Sequence, residues 1–578
     1  MRPARFRLWR SIIPLVLGSV MLCGAAPPSG DHAPVEWLRM NARPCATCEP
    51  GGDDRDLEPL RAIVGDARIV ALGEVSSGTH EFFQIKRRMV KYLATHMGFT
   101  VFAIEENMPD AYRLNQYVLT GRGDPKALFA GISRRRNVQE FLDFVEWMRE
   151  FNQSGRGRLQ FVGIDMRSPT DSAAAVVTRF VAHAEPAYLD SVTHAYRLVA
   201  GAPRQENQRG TAPASFPVSL AAGHKIRFSI SIRTESVHDG TAGFWCRADG
   251  GGHRILEDLG EHPITGTTPW TRYTLTADIP AGATRMIIGC GLSGGGTAWF
   301  DSLAADIDGK PFTGTDDLDL SMERGERPAG FDISGLKGSP YAIELDSTTV
   351  LAGKRSLRIR RVGPDAPPVT ATWPEAAAAA ARVLKHLEDG RARPASTSAP
   401  ADVDLAIVNA RAIAQDSDVR SSPPGRREDL MAENIARTLD QAPPGSRMFL
   451  WEQNLRLARH SSLGERLATR YGREFIVFGF AFHEGSYNPV AQGEPPGAKV
   501  AKSSSPGSLE WACHSTGIPR FILDLRSAAA DPSASAWLAQ PLPMRNIVFY
   551  AVPDTIAVGQ YYDALVYVDH TTPTVSLP

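Results

Sequence analysis

The strongest constraint in this sequence is a repeated junction, in which an apolar run stops on a charged or amide residue and gives way to an amphipathic helix. "RIVALGE" stops at Glu74, "FTVFAIEEN" at Glu105 and Glu106, "LQFVGIDM" at Asp165, and "RMFLWEQN" at Glu452, Gln453 and Asn454. Strands separated by helical crossovers imply a mostly parallel sheet flanked by helices. In open α/β sheets the ligand crevice lies beyond the carboxyl ends of the strands. Four polar endings on one edge therefore predict a carboxylate-rich cleft. Its charge fits general acid–base work, a metal, or a cationic or hydroxyl-bearing ligand.

The pattern divides the chain. Residues 57–201 alternate strand and helix, with helices at Phe82–Leu93, "PDAYRLNQYVL" and "NVQEFLDFVEWMREFN". Residues 202–368 switch to short alternating runs between glycine-rich turns, such as "HKIRFSISIRTES", "GTAGFWCRAD" and "GTAWFDSLAADIDG", the texture of an all-β sandwich. "YAIELDSTTVLAGKRSLRIRRV" adds two strands, to that sandwich or to a second small unit. Helices return within residues 369–578, followed by "EFIVFGFAF", "PRFILDLR", "RNIVFYAV" and "YDALVYVDH". The expected organisation is an α/β domain in two parts, 57–201 and 369–578, interrupted by a β-sandwich, with a loop at 391–403.

With 63 basic and 64 acidic residues, the charge balance points to neither nucleic acid nor an anionic membrane surface. Arg2, Arg5, Arg7 and Arg10 precede the short apolar "SIIPLVLGSVMLCGAA", the layout of a signal peptide cut near Ala25 or Ala26. The bulky Leu22 argues against lipidation at Cys23. A periplasmic or secreted protein is expected, with no transmembrane segment after cleavage. Residues 27–56 then form a linker carrying C-x-x-C at Cys45 and Cys48. Its proline- and glycine-rich flanks favour a small structural disulfide over a redox helix. Cys246 and Cys290 lie in strand-like runs and are a second candidate pair.

The first junction, "RIVALGEVSSGTHEFFQIKRR", holds Glu74, Ser76, Ser77, Thr79, His80 and Glu81. Ser77 or Thr79 is the expected helix cap, Gly78 eases the bend, and Glu81 suits the positive end of the dipole. Glu74 precedes the cap, where burial without a partner is costly.

"LGEVSSGTHEFFQIKRR", "FAIEENMPDAYRLNQYVLTG", "FLDFVEWMREFN", "FVGIDM", "REDLMAENI", "FLWEQN", "FGFAFHEGSY" and "YYDALVYV" resemble, in order, the erythromycin esterase family. The middle zone, through "ITGTTPWTRYTLTADIPAGA" and "GLSGGGTAWFD", resembles carbohydrate-binding-like sandwich modules of bacterial enzymes. The resemblance implies hydrolysis of the macrolactone ester of macrolide antibiotics, a link to antibiotic response, and no metal or other cofactor. It also implies a histidine base in the first corner, supporting acids at Glu74 and Glu105, a basic residue on the first helix at Lys86, and a second histidine at a "WAHN"-like strand end. Here Ser77 and Gln453 stand at the two histidine positions, and Lys86 stands where active members tend to carry arginine.

A general base works best with a pKa near the operating pH and is typically worth ~10²–10⁴-fold in rate. Gln453 can donate to a carbonyl but cannot shuttle protons. Three readings follow. In the first, a rearranged hydrolase keeps Glu74, Glu105, Ser77 and Gln453 as its catalytic set, with Lys86, His80, Asp165 and Asn454 contacting substrate. Glu74 or Glu105, raised by neighbouring carboxylates, or His80 from the first helical turn, then replaces the lost base. Ser77 as nucleophile lacks the G-x-S-x-G elbow. In the second, an inactive member binds a glycosylated or polyol ligand at the cell surface. In the third, Glu74, Glu105, Asp165 and His483 hold a divalent metal. Within the sandwich, Trp245, Trp270 and Trp299 form either a sugar platform or part of the core.

Overall fold

The computed structural model describes residues 32–577 apart from 130–131, 133–135, 168–170, 203–208, 251–252, 259–262, 282, 284, 317, 325–327, 334–338, 364–369, 392–398, 461, 489–496 and 547–553. The signal-peptide reading, most of the 391–403 loop and most of "RNIVFYAV" lie outside the described residues. No helix among the described residues is long and apolar enough to cross a membrane.

The main sheet is built, in chain order, from β1 (Arg43–Pro44), β2 (Ile69–Leu72), β3 (Phe99–Asn107), β4 (Gln160–Asp165), β5 (Arg447–Trp451), β6 (Phe475–Tyr487), β7 (Lys499–Ala501), β8 (Arg520–Asp524) and β9 (Ala564–Thr571). Its spatial order is β1-β8-β9-β6-β2-β5-β3-β4, with β7 pairing β6. From β9 through to β4 every pairing on that path is parallel, while β8 and β1 run antiparallel at one edge. The sequence expectation of a mostly parallel sheet with flanking helices is met. Strand β2 is entirely buried, as a strand covered on both faces must be.

Side-chain alternation sends successive residues to two cores. Val70, Leu72, Phe102, Ile104, Phe449 and Trp451 pack with Phe82, Phe83 and Met89 of helix α1 (His80–Met97) and Phe141 and Phe144 of α3 (Gln139–Gln153), α2 (Met108–Thr120) lying between them in sequence. Ile69, Ala71, Val101, Ala103 and Leu450 face the other way, against Leu430, Met431 and Ile435 of α4 (Arg426–Gln441). That second core also takes Trp37 and Leu38 from a helix at His32–Asn41, inside the segment read as a linker. It is only ten residues long, so periodicity alone did not single it out.

Between helices Leu189–Gly201 and Trp373–Arg391 the chain forms a separate nine-stranded antiparallel sheet with its own apolar cluster, drawn from residues 212–359. "HKIRFSISIRTES" and "GTAGFWCRAD" are one strand, Lys225–Gly250, with register shifts along its length. Tyr341–Asp346 and Ser356–Arg361 join this same sheet. Helices Asp171–Ala184 and Leu189–Gly201 share a cluster with Trp373–Arg391 and Pro400–Ser421, so the segments on either side of the β-rich stretch pack on each other.

The cysteine expectations fail. Cys45 and Cys48 are buried free thiols pushed up to about 12 by burial, and Cys290 is a free thiol opposite Phe244 rather than Cys246.

The corner after β2 is sealed by distant chain. The carbonyl of Gly78 accepts from Asn488 N at 2.9 Å and Thr574 N at 3.1 Å. A Cβ on Gly78 would lie 1.9 Å from Asn488 O, a main-chain atom that cannot swing away. Gly78 thus serves a close approach between backbones. Gly78→Ala is expected to destabilise the fold by at least about 2 kcal/mol, near the upper range for overpacked sites, measured by urea unfolding. Stability within 0.5 kcal/mol of wild type (roughly the scatter of neutral surface changes) would contradict this account of the corner.

Candidate active site at the carboxyl edge of the sheet

Register decides which strand-end residues meet. Leu72 pairs with Trp451 and Phe478, and Trp451 with Ile104. Two residues beyond this line, on the same face, come Phe480, Glu74, Gln453 and Glu106. One residue beyond it, on the opposite face, come Glu452 and Glu105. The expected single carboxylate cleft is therefore two clusters on one edge.

On the first face Glu74 is 1 % exposed and fully engaged. Its Oε2 accepts from Trp451 Nε1 at 2.5 Å, Lys86 Nζ at 3.1 Å and Arg136 Nη1 at 3.3 Å. Its Oε1 accepts from the Ser77 hydroxyl. Arg136 Nε also lies 3.9 Å from Glu106. Lys86 Nζ sits 4.1 Å from the Trp451 ring centroid and 4.9 Å from that of Phe480. Burial alone would raise the Glu74 carboxyl, but the charges of Arg136 and Lys86, with the hydrogen bonds from Ser77 and Trp451, hold it far below the usual range. The expectation of a Glu74 raised by neighbouring acids is thus corrected, because its nearest charges are cations. Lys86 is pushed down to about 7, chiefly by burial, the attraction of Glu74 being opposed by Arg136.

On the second face Arg427 binds Glu105 at 2.5 Å and Asp165 at 2.7 Å, and Arg167 reaches both at 3.3 and 3.2 Å. Arg456 lies 3.8 Å from Glu105 and 3.5 Å from Glu452. A bidentate arginine locks Glu105 and Asp165 into structure. The metal reading fails on this geometry, since each carboxylate it needs is held by a cation and His483 stands elsewhere, stacked on His514 with ring centroids 3.8 Å apart.

His80 is held between two acids. Its Nδ1 meets Glu140 at 2.8 Å and its Nε2 meets Glu49 at 2.9 Å, and these acids raise it to about 9, keeping it an imidazolium at neutral pH. Of the two predicted caps, Thr79 stands at the N-cap position but its side chain makes no cap bond, while Ser77 donates to Glu74 and His80 N donates to Thr572 O. Asn454 is a tie between strands, donating to Phe480 O at 2.8 Å and accepting from Phe480 N at 3.0 Å.

A small cleft opens at this edge, lined by Glu74, Gln453, Leu455, Met544, Arg545 and Tyr562 among others. Gln453 is 5 % exposed, and its buried Nε2 has no hydrogen-bond partner among the described residues. Glu74, Ser77, Lys86 and Gln453 thus come together as anticipated. Glu105, Asp165 and His80 do not join them. Trp451, Arg136 and Arg427 were not singled out in the sequence. Trp451 and Arg427 lie inside the motifs "FLWEQN" and "REDLMAENI", whereas Arg136, in "SRRRN", gives no signal of its own.

Comparison with known proteins gives this geometry a context. The sequence profile described as erythromycin esterase matches residues 94–224 and 357–571. Erythromycin esterase type II of Escherichia coli is 30% identical over 131 residues, 23% of this chain and 31% of that protein. Erythromycin esterase type I of Escherichia coli is 23% identical over 154 residues, 26% of this chain and 37% of that protein. The matched stretches span about a third of the length of those relatives. A solved Bacillus cereus protein shares the fold, with a TM-score of 0.57 and 19% identity over 94% of this chain and 98% of that one.

Two outcomes follow from the charges. Glu74→Gln strands two buried cations and should cost about 3–5 kcal/mol, whereas Glu74→Gln with Lys86→Met should recover at least about 1 kcal/mol of it; urea titration of the three proteins decides. For His80, the folded pKa near 9 exceeds the ordinary 6.5. Its stabilisation is therefore complete below pH 6.5 and lost as pH rises to about 9. His80→Gln should show a flatter stability profile than wild type across that window, and identical slopes would refute the bridge.

Proposed function

Because the chain belongs to the erythromycin esterase family, we propose that it is a hydrolase of small-molecule esters or lactones, working in the cleft at the carboxyl edge with Glu74 and Gln453 in place of imidazole chemistry. The observation that carries this reading is the asymmetry of the Glu74 carboxylate. Three donors crowd Oε2, while Oε1, on a residue lining the cleft, accepts only from Ser77 among the described residues. Oε1 therefore retains capacity to accept from a water molecule. In this reading that water adds to the ligand carbonyl as its proton passes to Oε1. The Gln453 amide donates to the developing oxyanion, and the proton then leaves on the departing alcohol. A carboxylate held so far down is a weak base, so turnover should be slow.

A binding role without turnover is the second reading, favoured by that same depressed carboxyl. In either case residues 57–201 and 369–578 are proposed as one unit and 202–368 as an inserted sandwich, with the long bent strand Lys225–Gly250 shared between its layers. Trp299 is buried and donates to Asp346 at 2.7 Å, which supports a core role, and leaves the half-buried Trp245 and Trp270 as candidates for sugar contact.

The test is hydrolysis of a panel of macrolactones and simple aryl esters by purified protein. Wild type should turn over at least one ester, and Gln453→Ala should lower kcat/KM by ~10²-fold, the usual cost of an oxyanion donor. Ligand-induced thermal shifts with no hydrolysis, and activity gained only in Ser77→His with Gln453→His, would establish the binding reading instead.

A further inference from the structure

The sign of charge in the cleft is the reverse of what its strand ends announce. Glu74 is neutralised by Lys86 and Arg136, and Glu105 and Asp165 are bound by Arg427 on the other face. Arg545 is also among the residues that line the cleft.

Arg545 is held rigidly and left without a counter-ion. Its main-chain N–H donates to Glu510 Oε1 at 2.7 Å. Its Nη2 donates to the carbonyls of His483 at 2.8 Å and Lys502 at 2.7 Å, and the guanidinium lies 4.8 Å from the Phe482 ring centroid. Nε is buried with no hydrogen-bond partner, and among the described residues no carboxylate comes within ion-pair distance of the guanidinium. The acid acting on Arg545 is Glu510, whose carboxyl burial pushes up to about 7. A guanidinium fixed by neutral carbonyls and an aromatic face has its position decided before any ligand arrives. An anion entering the cleft pairs with the guanidinium through charge-assisted hydrogen bonds.

We propose that the cleft is a site for anionic small molecules, specifically esters that also carry a free carboxylate, with Arg545 as the residue that engages the carboxylate. Gln453, at the end of β5, then faces the ester carbonyl, and Leu455, Met544 and Ile556 cover the apolar body between the two polar ends. The proposal rests on the ester reading above for its substrate class, but the preference for an anion stands on Arg545 alone.

The probes are 4-acetoxybenzoate and its neutral isostere 4-acetoxybenzamide, compared by kcat/KM where they are hydrolysed and by calorimetric Kd where they are not. Wild type should favour the benzoate at least about tenfold, as expected for one charge-assisted contact. The preference should shrink as salt is raised, and Arg545→Met should bring the two ligands within about twofold of each other. Should Arg545→Met not fold, Arg545→Lys and the wild-type salt series carry the test. Equal handling of the two probes by wild type overturns the proposal while leaving the hydrolase reading intact if both are cleaved. A benzoate preference without cleavage sustains the proposal, while the hydrolase reading is decided by the wider ester panel. No binding of either probe overturns the proposal.

Discussion

The buried carboxylate of Glu74 is the interaction on which the edge of the sheet depends. An isolated carboxylate at 1 % exposure is untenable, and a single buried cation beside it repays only part of the desolvation. Here the charges close as a set of four, with Glu74 and Glu106 against Lys86 and Arg136. Trp451 serves both signs at once. Its indole N–H donates to the carboxylate, and its ring lies 4.1 Å from Lys86 Nζ and 5.1 Å from the Arg136 guanidinium. Removing any member leaves a buried charge or donor without its partner.

That solution constrains chemistry. A carboxylate flanked by two cations stays ionised and is a poor proton acceptor. The amide at Gln453 is consistent with this, since it donates without titrating. Family membership gives the fold. Gln453 and Arg545, both lining the cleft, are donors that do not titrate near neutral pH.

Much of the fold was legible because strands and helices announce themselves locally. The runs ending at Glu74, Glu106, Asp165 and Trp451 are strands where expected, and the antiparallel stretch begins and ends close to the anticipated limits. The site was legible only in part, because its charge balance is non-local. Arg136 is 62 residues from Glu74, and Arg427 is 322 residues from Glu105. A reading of strand ends counts acids and cannot count the cations that the fold brings to them. His80 was misread for the same reason, since both of its acids, Glu140 and Glu49, belong to other elements.

Register explains the remaining error. Glu105 and Glu106 are adjacent, and either fits the description of an acid on the next strand. Strand alternation makes them opposites, one facing α1 and α3 and the other facing α4. Pairing of Trp451 with both Leu72 and Ile104 fixes which is which, placing Gln453 between Glu74 and Glu106 in one row. Moving any of these strands by one residue would exchange the two acids and carry Gln453 out of the cleft. The apolar pattern of β2, β3 and β5 forbids that move, since each strand buries both faces against different cores. The hydrophobic packing of three strands, more than the polar residues themselves, thus determines which acid can take part in the site.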